Sequence, residues 1–325
     1  FRSHMEKGIY KPQFQNLELD NFLKKFSIED AAFSAQYVLE KVVCGLVKKI
    51  SGKNINLFLA GGIFANVKLN QKLKELRNIS NVYIFPNMGD GGLSVGAAQL
   101  CFTNQYNKLP SKVDSMLLGN EIDDAELVKL LKKKKIQFKF FKNINKKIAS
   151  LLAQEQIVIR VFGKMEFGPR ALGNRSILAD PRKKINKQKL NYAVKFREGF
   201  RPFAPSVLKN FASKIFDIPK SRDVNFMERV YKIKKSWRKK IPAVTHVDGT
   251  GRLQTVTEKL NKDYYSLIYE FYKITKVPLL LNTSFNLNNE PIVMSPIDAL
   301  RSFYSSGLDW LVIGPYLIKK KNDQI

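Results

Sequence analysis

Histidine and cysteine are nearly missing from this 325-residue chain, with two of each. Cys44 and Cys101 are too few for a disulfide framework and fit a reducing compartment. No run of 18 or more apolar residues occurs, so no membrane span is expected. The first residues, FRSHMEKGIYKPQ, are polar and basic without an apolar core, which argues against a secretory signal. A cytoplasmic protein is the expectation. Acids are also scarce, 28 Asp+Glu against 56 Lys+Arg, for a formal charge of +28.

What the chain does have is bulk and base. Its length suggests two domains, and 44% apolar residues can build real cores. A basic surface can bind nucleic acid or acidic membranes through phosphates. Here the lysine runs, such as 132–135 and 319–321, are scattered, with no zinc-finger spacing and no aromatic-interleaved basic tract. The charge reads better as a lysine-rich surface that also draws in anionic substrates. The chain starts at Phe1, and Ser3-His4-Met5 reads either as a cloning scar or as interior sequence. Either way a C-terminal portion of something longer is expected.

The richest stretch is FGKMEFGPRALGNRSILADPR, 162–182. It follows a β-branched strand, 157–162, and packs Gly163, Gly168 and Gly173 beside Lys164, Arg170, Arg175 and Arg182. Glycines let backbone approach a ligand, and arginines match phosphate or carboxylate in a bidentate way. The spacing is neither G-x-x-x-x-G-K-[ST] nor G-x-G-x-x-G, so the two common phosphate loops are excluded. An anion pocket for a phosphorylated substrate is the reading. The alternative is a surface turn with solvated cations.

Ser27-Ile-Glu-Asp30 opens a long amphipathic core helix, with Ile28, Ala31, Ala35, Val38, Leu39, Val42, Leu46 and Ile50 at helical period and Cys44 inside it. A strand at 56–60, Gly61-Gly62 and a helix at 63–76 form a strand–glycine–helix unit suited to phosphate. A strand at 82–85 leads into a Gly-rich loop around Asp90 and a helix from Leu93 to Phe102. Residues 103–118 read as a linker. Helices at 123–134 and 144–154 flank a strand at 136–141, giving an α+β second domain. A second basic group, Lys195, Arg197 and Arg201, precedes a rigid Pro-Phe-Ala-Pro segment. His246 and Asp248 sit in a polar cluster with Arg252, but no G-x-S-x-G accompanies them to make a nucleophilic triad. A strand at 277–281 ends in Asn282-Thr283-Ser284.

GKMEFGPRALGNRSILADPR resembles the signature of the nodulation/antibiotic-type O-carbamoyltransferases, the NodU/CmcH family. KFREGFRPFAPSVL (195–208), IPAVTHVDGTGRLQTV (241–256) and VPLLLNTSFNLNNEPI (277–292) agree in order and spacing. NLFLAGGIFANVKLNQKL (56–73) and VYIFPNMGDGGLSVGAA (82–98) match the same family's earlier domain. The resemblance implies an N-terminal segment over 1–26, part of an actin/sugar-kinase-type α/β domain over 27–103, a linker over 104–118 and a YrdC-like α+β domain over 119–325. It also implies that carbamoyl phosphate and ATP, with Mg²⁺, form carbamoyladenylate, whose carbamoyl group passes to a hydroxyl of a sugar- or antibiotic-like acceptor.

By motif, Lys164, Arg170, Arg175 and Arg201 fall to phosphates, and Gly163 and Gly168 to the nucleotide loop. Arg197, His246, Asp248, Arg252, Asn282 and Ser284 fall to substrate; the amides and hydroxyls among them suit a carbamoyl group, which both donates and accepts. In the earlier domain, Gly61, Gly62 and Asn66 would meet nucleotide and Asp90 would be a metal ligand. The family's metal-binding histidines have no counterpart here, since only His4 and His246 exist. A transition metal, iron, is expected only if a separate N-terminal half supplies them. That half, or a homodimer, is an expected partner; membrane and nucleic acid are not. The rival readings are a threonylcarbamoyladenylate-synthase-like tRNA-modification enzyme and a non-enzymatic basic nucleic-acid-binding fragment.

Overall fold

The computed structural model describes residues 5–6, 9–10, 21–50, 52–196, 199, 201–219 and 224–320. It divides into two compact units, Phe1–Leu59 with Lys68–Tyr83, and Ala60–Val67 with Ile84–Ile325.

The first unit contains a short hairpin of β1 (Met5–Glu6) and β2 (Ile9–Tyr10), a long helix Ile28–Ile50, and strands β3 (Ile55–Leu59) and β4 (Ile79–Ile84), which pair with each other. The helix begins where the capping motif places it: the Asp30 N–H donates to Ser27 Oγ at 3.1 Å. Its acids Glu29 and Asp30 lie in the first turn and Lys48 and Lys49 in the last, as the helix dipole favours. The expectation of a core helix needs correcting. Ile28, Ala35, Val42, Leu46 and Ile50 are exposed, and Val47 is the helix's one buried residue. The apolar stripe exists, but even its more enclosed members, Ala31, Val38 and Leu39, are only half-buried. Cys44 is accordingly only half-buried, enough to push its thiol pKa up.

The second unit is organised by an eight-stranded mixed sheet. In chain order its strands are β5 (Lys139–Phe140), β6 (Val158–Val161), β7 (Arg175–Ala179), β8 (Ala204–Leu208), β11 (Gln254–Val256), β12 (Leu279–Ser284), β13 (Trp310–Ile313) and β14 (Tyr316–Lys319). Their spatial order is β11-β8-β12-β7-β6-β13-β14-β5. β11 runs parallel to β8 and β13 parallel to β6; the other neighbours are antiparallel. The central strands are buried on both faces, which is why they show no apolar–polar alternation and why even Arg160, Arg175, Ser176 and Ser206 are enclosed. The helices Ile144–Ala153 and Lys262–Thr275 pack on one another and add Ile148, Leu152, Tyr264, Leu267, Ile268 and Phe271 to one continuous core. β9 (Tyr231–Lys232) and β10 (Thr250–Gly251) form a separate pair.

Two boundaries moved in ways that matter. The strand expected to end at Leu281 continues through Asn282 and Thr283 to Ser284, because these residues pair with Leu178, Ile177 and Ser176 of β7. The end of the stretch read as a linker is ordered: the Phe167 N–H donates to Met116 O at 2.6 Å, the Met165 N–H to Asn120 O, and the Gly119 N–H to Met165 O. No described helix is long and apolar enough to cross a membrane.

Candidate functional site

The loop between β6 and β7 is built around buried charge. Glu166 Oε1 accepts the backbone N–H groups of Leu172 (2.7 Å), Asn174 (2.8 Å) and Arg175 (3.2 Å). A carboxylate that gathers N–H groups in this way replaces a hydration shell and fixes the loop around itself. Beneath it, buried Arg160 donates from one terminal nitrogen to the Gly173 carbonyl and to Asn174 Oδ1. Its guanidinium carbon lies 4.4 Å from the Phe162 ring centroid, and burial pushes its pKa down to about 10. Gly173, at φ +119°, is where only glycine fits: a Cβ there would stand 2.3 Å from the Tyr264 ring. Neither Glu166 nor Arg160 was among the expected site residues. The signal was an ionic residue in the middle of a β-branched run and a single acid inside a basic loop.

This loop, with the end of β12 and the segments leading into β8 and β11, borders a cavity of about 250 Å³. Arg170, Lys195, Arg201 and Arg252 line it together with Asn282, Ser284 and Asn286, and none of the described residues on its wall is acidic. Four cations brought to one wall make a positive potential that favours a bound anion. Arg170 is held by a donor bond from a terminal nitrogen to Ala65 O at 3.0 Å. Its Nε is buried with no acceptor, and burial lowers its pKa, though an arginine still carries its charge at neutral pH. Lys195, passed over as a site residue, donates to Ser284 O (2.9 Å), Asn286 O (2.9 Å) and Asn286 Oδ1 (2.7 Å).

Arg170, Arg201, Arg252, Asn282 and Ser284 are thus brought together. Other expected residues are elsewhere. Arg175 is buried and donates to the carbonyls of Phe162, Gly163 and Asn120 at 3.0–3.1 Å. Its fork ties the loop to the preceding segment rather than facing the cavity. Burial lowers its pKa, against the pull of Glu166 and Glu121. Lys164 is exposed and off the cavity wall. Gly163 and Gly168 take positive φ and shape the loop by backbone alone. His246 and Asp248 close their own turn: Thr250 Oγ1 lies 3.1 Å from His246 Nδ1 and donates to Asp248 Oδ1 at 2.7 Å. They do not line the cavity. Arg197 and His4 lie outside the described residues.

A second cavity of about 510 Å³ is lined by Ala60, Gly61, Asn87, Met88, Asp90 and Leu93 among others. Gly61 and Asp90 meet there; Gly62 and Asn66 are not on its wall. Gly61, at φ +117°, is held by its N–H donating to Met88 O at 2.6 Å. Asp90 is exposed, and no group of three or more His, Cys, Asp or Glu able to hold a metal occurs among the described residues. The donor set around Asp90 does not fit a transition metal, because one carboxylate is too few ligands.

Comparison with known proteins gives this geometry a family. The carbamoyltransferase C-terminus model matches residues 149–320, which contain the whole cation cavity, and the carbamoyltransferase N-terminus model matches residues 5–99. The chain belongs to the carbamoyltransferase family.

It is 40% identical over 301 residues to nodulation protein NolNO of Sinorhizobium fredii, an alignment covering 90% of this chain and 44% of that protein. Nodulation protein NolO of Bradyrhizobium diazoefficiens is also 40% identical over 301 residues, covering 90% of this chain and 55% of the relative. Nodulation protein U of Azorhizobium caulinodans is 34% identical over 251 residues, or 73% and 40% of the two chains. The chain spans about half the length of the curated relatives it matches. The expectation of a C-terminal portion alone is corrected, since the N-terminus model is matched as well.

Proposed function

We propose that this chain is an ATP-dependent O-carbamoyltransferase that activates a carbamoyl group in the cation cavity. Carbamoyl phosphate would bind with its phosphate between Arg170, Arg201 and Arg252 and its carbamoyl end toward Asn282 and Ser284. ATP is the second substrate: phosphate is lost by hydrolysis, and the carbamate oxygen displaces pyrophosphate from the α-phosphorus to give carbamoyladenylate. The carbamoyl group then goes to a hydroxyl of a small-molecule acceptor. In this reading 119–325 is a YrdC-like body and 27–103 belongs to an actin/sugar-kinase-type domain. Mg²⁺ would travel on the ATP phosphates, because no acidic residue lines the cavity among the described residues.

The observation that carries the reading is the convergence of four cations on one cavity wall, inside the region that the carbamoyltransferase C-terminus model matches. Positioned Arg and Lys donors are what phosphoryl chemistry requires, with little covalent work left for the protein. The test is pyrophosphate release from Mg-ATP with and without carbamoyl phosphate, alongside Arg252→Ala. Release that requires carbamoyl phosphate and falls by at least about 100-fold in the variant is expected, the size of loss seen when a preorganised charge donor is removed. Release that ignores carbamoyl phosphate, or survives in the variant, would sink the proposal. Replacing carbamoyl phosphate by bicarbonate and threonine separates it from a threonylcarbamoyladenylate synthase.

A further inference from the structure

Behind the cation cavity lies a polar relay that is fully buried and has one loose end. Asn282, Ser206 and Gln254 come from three neighbouring strands, β12, β8 and β11, and all three side chains are buried. Gln254 Nε2 donates to the Leu172 carbonyl at 3.0 Å. A backbone carbonyl can only accept, so this bond fixes which end of the Gln254 amide is which. Its Oε1 therefore faces the other way, where it accepts Ser206 Oγ at 2.6 Å and Asn282 Nδ2 at 3.3 Å. Asn282 Nδ2 also meets Ser206 Oγ at 3.1 Å and the Ala171 carbonyl at 3.1 Å.

Two of the three partners at that end of Asn282, the Ala171 carbonyl and Gln254 Oε1, can only accept, and the Ser206 hydroxyl hydrogen is already given to Gln254, so turning the amide around would place oxygen against oxygen. What remains is Oδ1. It is buried and has no hydrogen-bond partner among the described residues, although Asn282 lines the cavity. A buried acceptor left unmade is costly, and a network that enforces that cost needs a reason.

We propose that Gln254 and Ser206 are positioning residues that lock Asn282 Oδ1 as a hydrogen-bond acceptor, and that this atom selects a ligand carrying an N–H donor beside its phosphate. The inference rests on the proposed function above, and it deepens it. A carbamoyl –NH₂ satisfies Oδ1; the methyl of an acetyl phosphate, nearly the same size and equally anionic, leaves it unpaired. Sites built to bond an N–H or O–H reject analogues lacking it far more strongly than apolar pockets reject a change of size. The four cations supply affinity for any phosphate. The relay supplies the choice between them.

The test is a set of dissociation constants for carbamoyl phosphate, acetyl phosphate and inorganic phosphate, measured by calorimetry on the wild-type chain and on Asn282→Leu and Gln254→Met. Wild type should prefer carbamoyl over acetyl phosphate by about 10- to 100-fold, the equivalent of one buried acceptor satisfied or not. Asn282→Leu should lose that preference, and Gln254→Met, which frees the Asn282 amide to rotate, should reduce it. In both variants inorganic phosphate should bind within about threefold of wild type, showing that fold and cations are intact; a variant that fails this control is replaced by Ser206→Ala, which cuts the same relay at a smaller residue. Equal affinity of wild type for carbamoyl and acetyl phosphate would overturn the relay while leaving the anion cavity standing. So would a preference unchanged in the variants. Binding of none of the three would overturn the cavity reading and the relay together.

Discussion

The loop between β6 and β7 and the helix Ile28–Ile50 treat their sequence in opposite ways. The loop takes charged and polar residues inward: Arg160, Glu166, Asn174 and Arg175 are all buried there. The helix leaves apolar residues outward: Ile28, Phe33, Val42, Leu46 and Ile50 are all exposed. Buried charge costs several kcal/mol per ion unless its bonds are made, and here Glu166 Oε1 and the Arg175 terminal nitrogens make theirs with backbone N–H groups and carbonyls. Surface apolar residues are common and cheap one by one, but a contiguous stripe along a 23-residue helix is not ordinary surface. One region is over-determined by its contacts, and the other is under-used. Substitutions should respond accordingly.

The largest expected effect is in the sheet. Leu280→Ala, at a residue of β12 with no exposure, should cost about 2–5 kcal/mol in urea denaturation, as truncation in a closed core does. Glu166→Ala comes next. It strands three N–H groups and removes a carboxylate that supports the charge of both Arg160 and Arg175. A loss of about 2–4 kcal/mol is expected, since removing one partner leaves the full desolvation penalty on the others. The same variant should weaken phosphate binding at the cavity, because Arg170 lies on the loop that Glu166 fixes. A stability loss with unchanged phosphate affinity would show the loop to be a strut and nothing more.

A smaller effect sits on the helix Pro296–Tyr304, where Ser295 and Asp298 form a reciprocal capping box. The bonds from Ser295 hold the Asp298 carboxyl below its ordinary pKa. A depressed carboxyl pKa contributes stability above the unfolded value and loses it as pH falls through the folded one. Asp298→Asn should therefore lower stability at pH 7 and flatten the acid limb, so that variant and wild type converge below about pH 4. Ser295→Ala should cost about 0.5–2 kcal/mol at pH 7. An acid limb unchanged in Asp298→Asn would assign that limb to other carboxyls.

Much of this was legible in the residues. The β-branched run before Phe162, the helix start at Ser27 and the clustering of Arg170, Arg201 and Arg252 follow from patterns that sequence carries directly: local periodicity, a cap, and blocks that the family shares. What was not legible was direction. Arg170 and Arg175 are five apart in one motif, yet one lines the cavity and the other holds backbone carbonyls. That outcome depends on which way a loop turns around Glu166, a long-range fact no spacing encodes. Lys195 was read as basic, but it donates to Ser284 and Asn286, about 90 residues away in sequence. The second cavity shows the same limit, since Gly61 and Asp90 meet where Gly62 and Asn66 do not.

The smallest expected effect is the one that bears hardest on the comparison. Leu46 lies mid-stripe on the long helix and is 55% exposed. Leu46→Gln keeps size and helix propensity and removes only apolar character, so a helix whose stripe faces water should register less than about 0.5 kcal/mol. Val47→Ala, one residue on and buried at 6% exposure, should cost at least about 1 kcal/mol by the same measurement. The pair is read at two protein concentrations tenfold apart. If Leu46→Gln is neutral at both, the stripe is solvated and the contrast between loop and helix stands. If it destabilises as much as Val47→Ala, and more at the higher concentration, a second copy covers the stripe. The helix would then be a core element after all, completed by association instead of by its own unit.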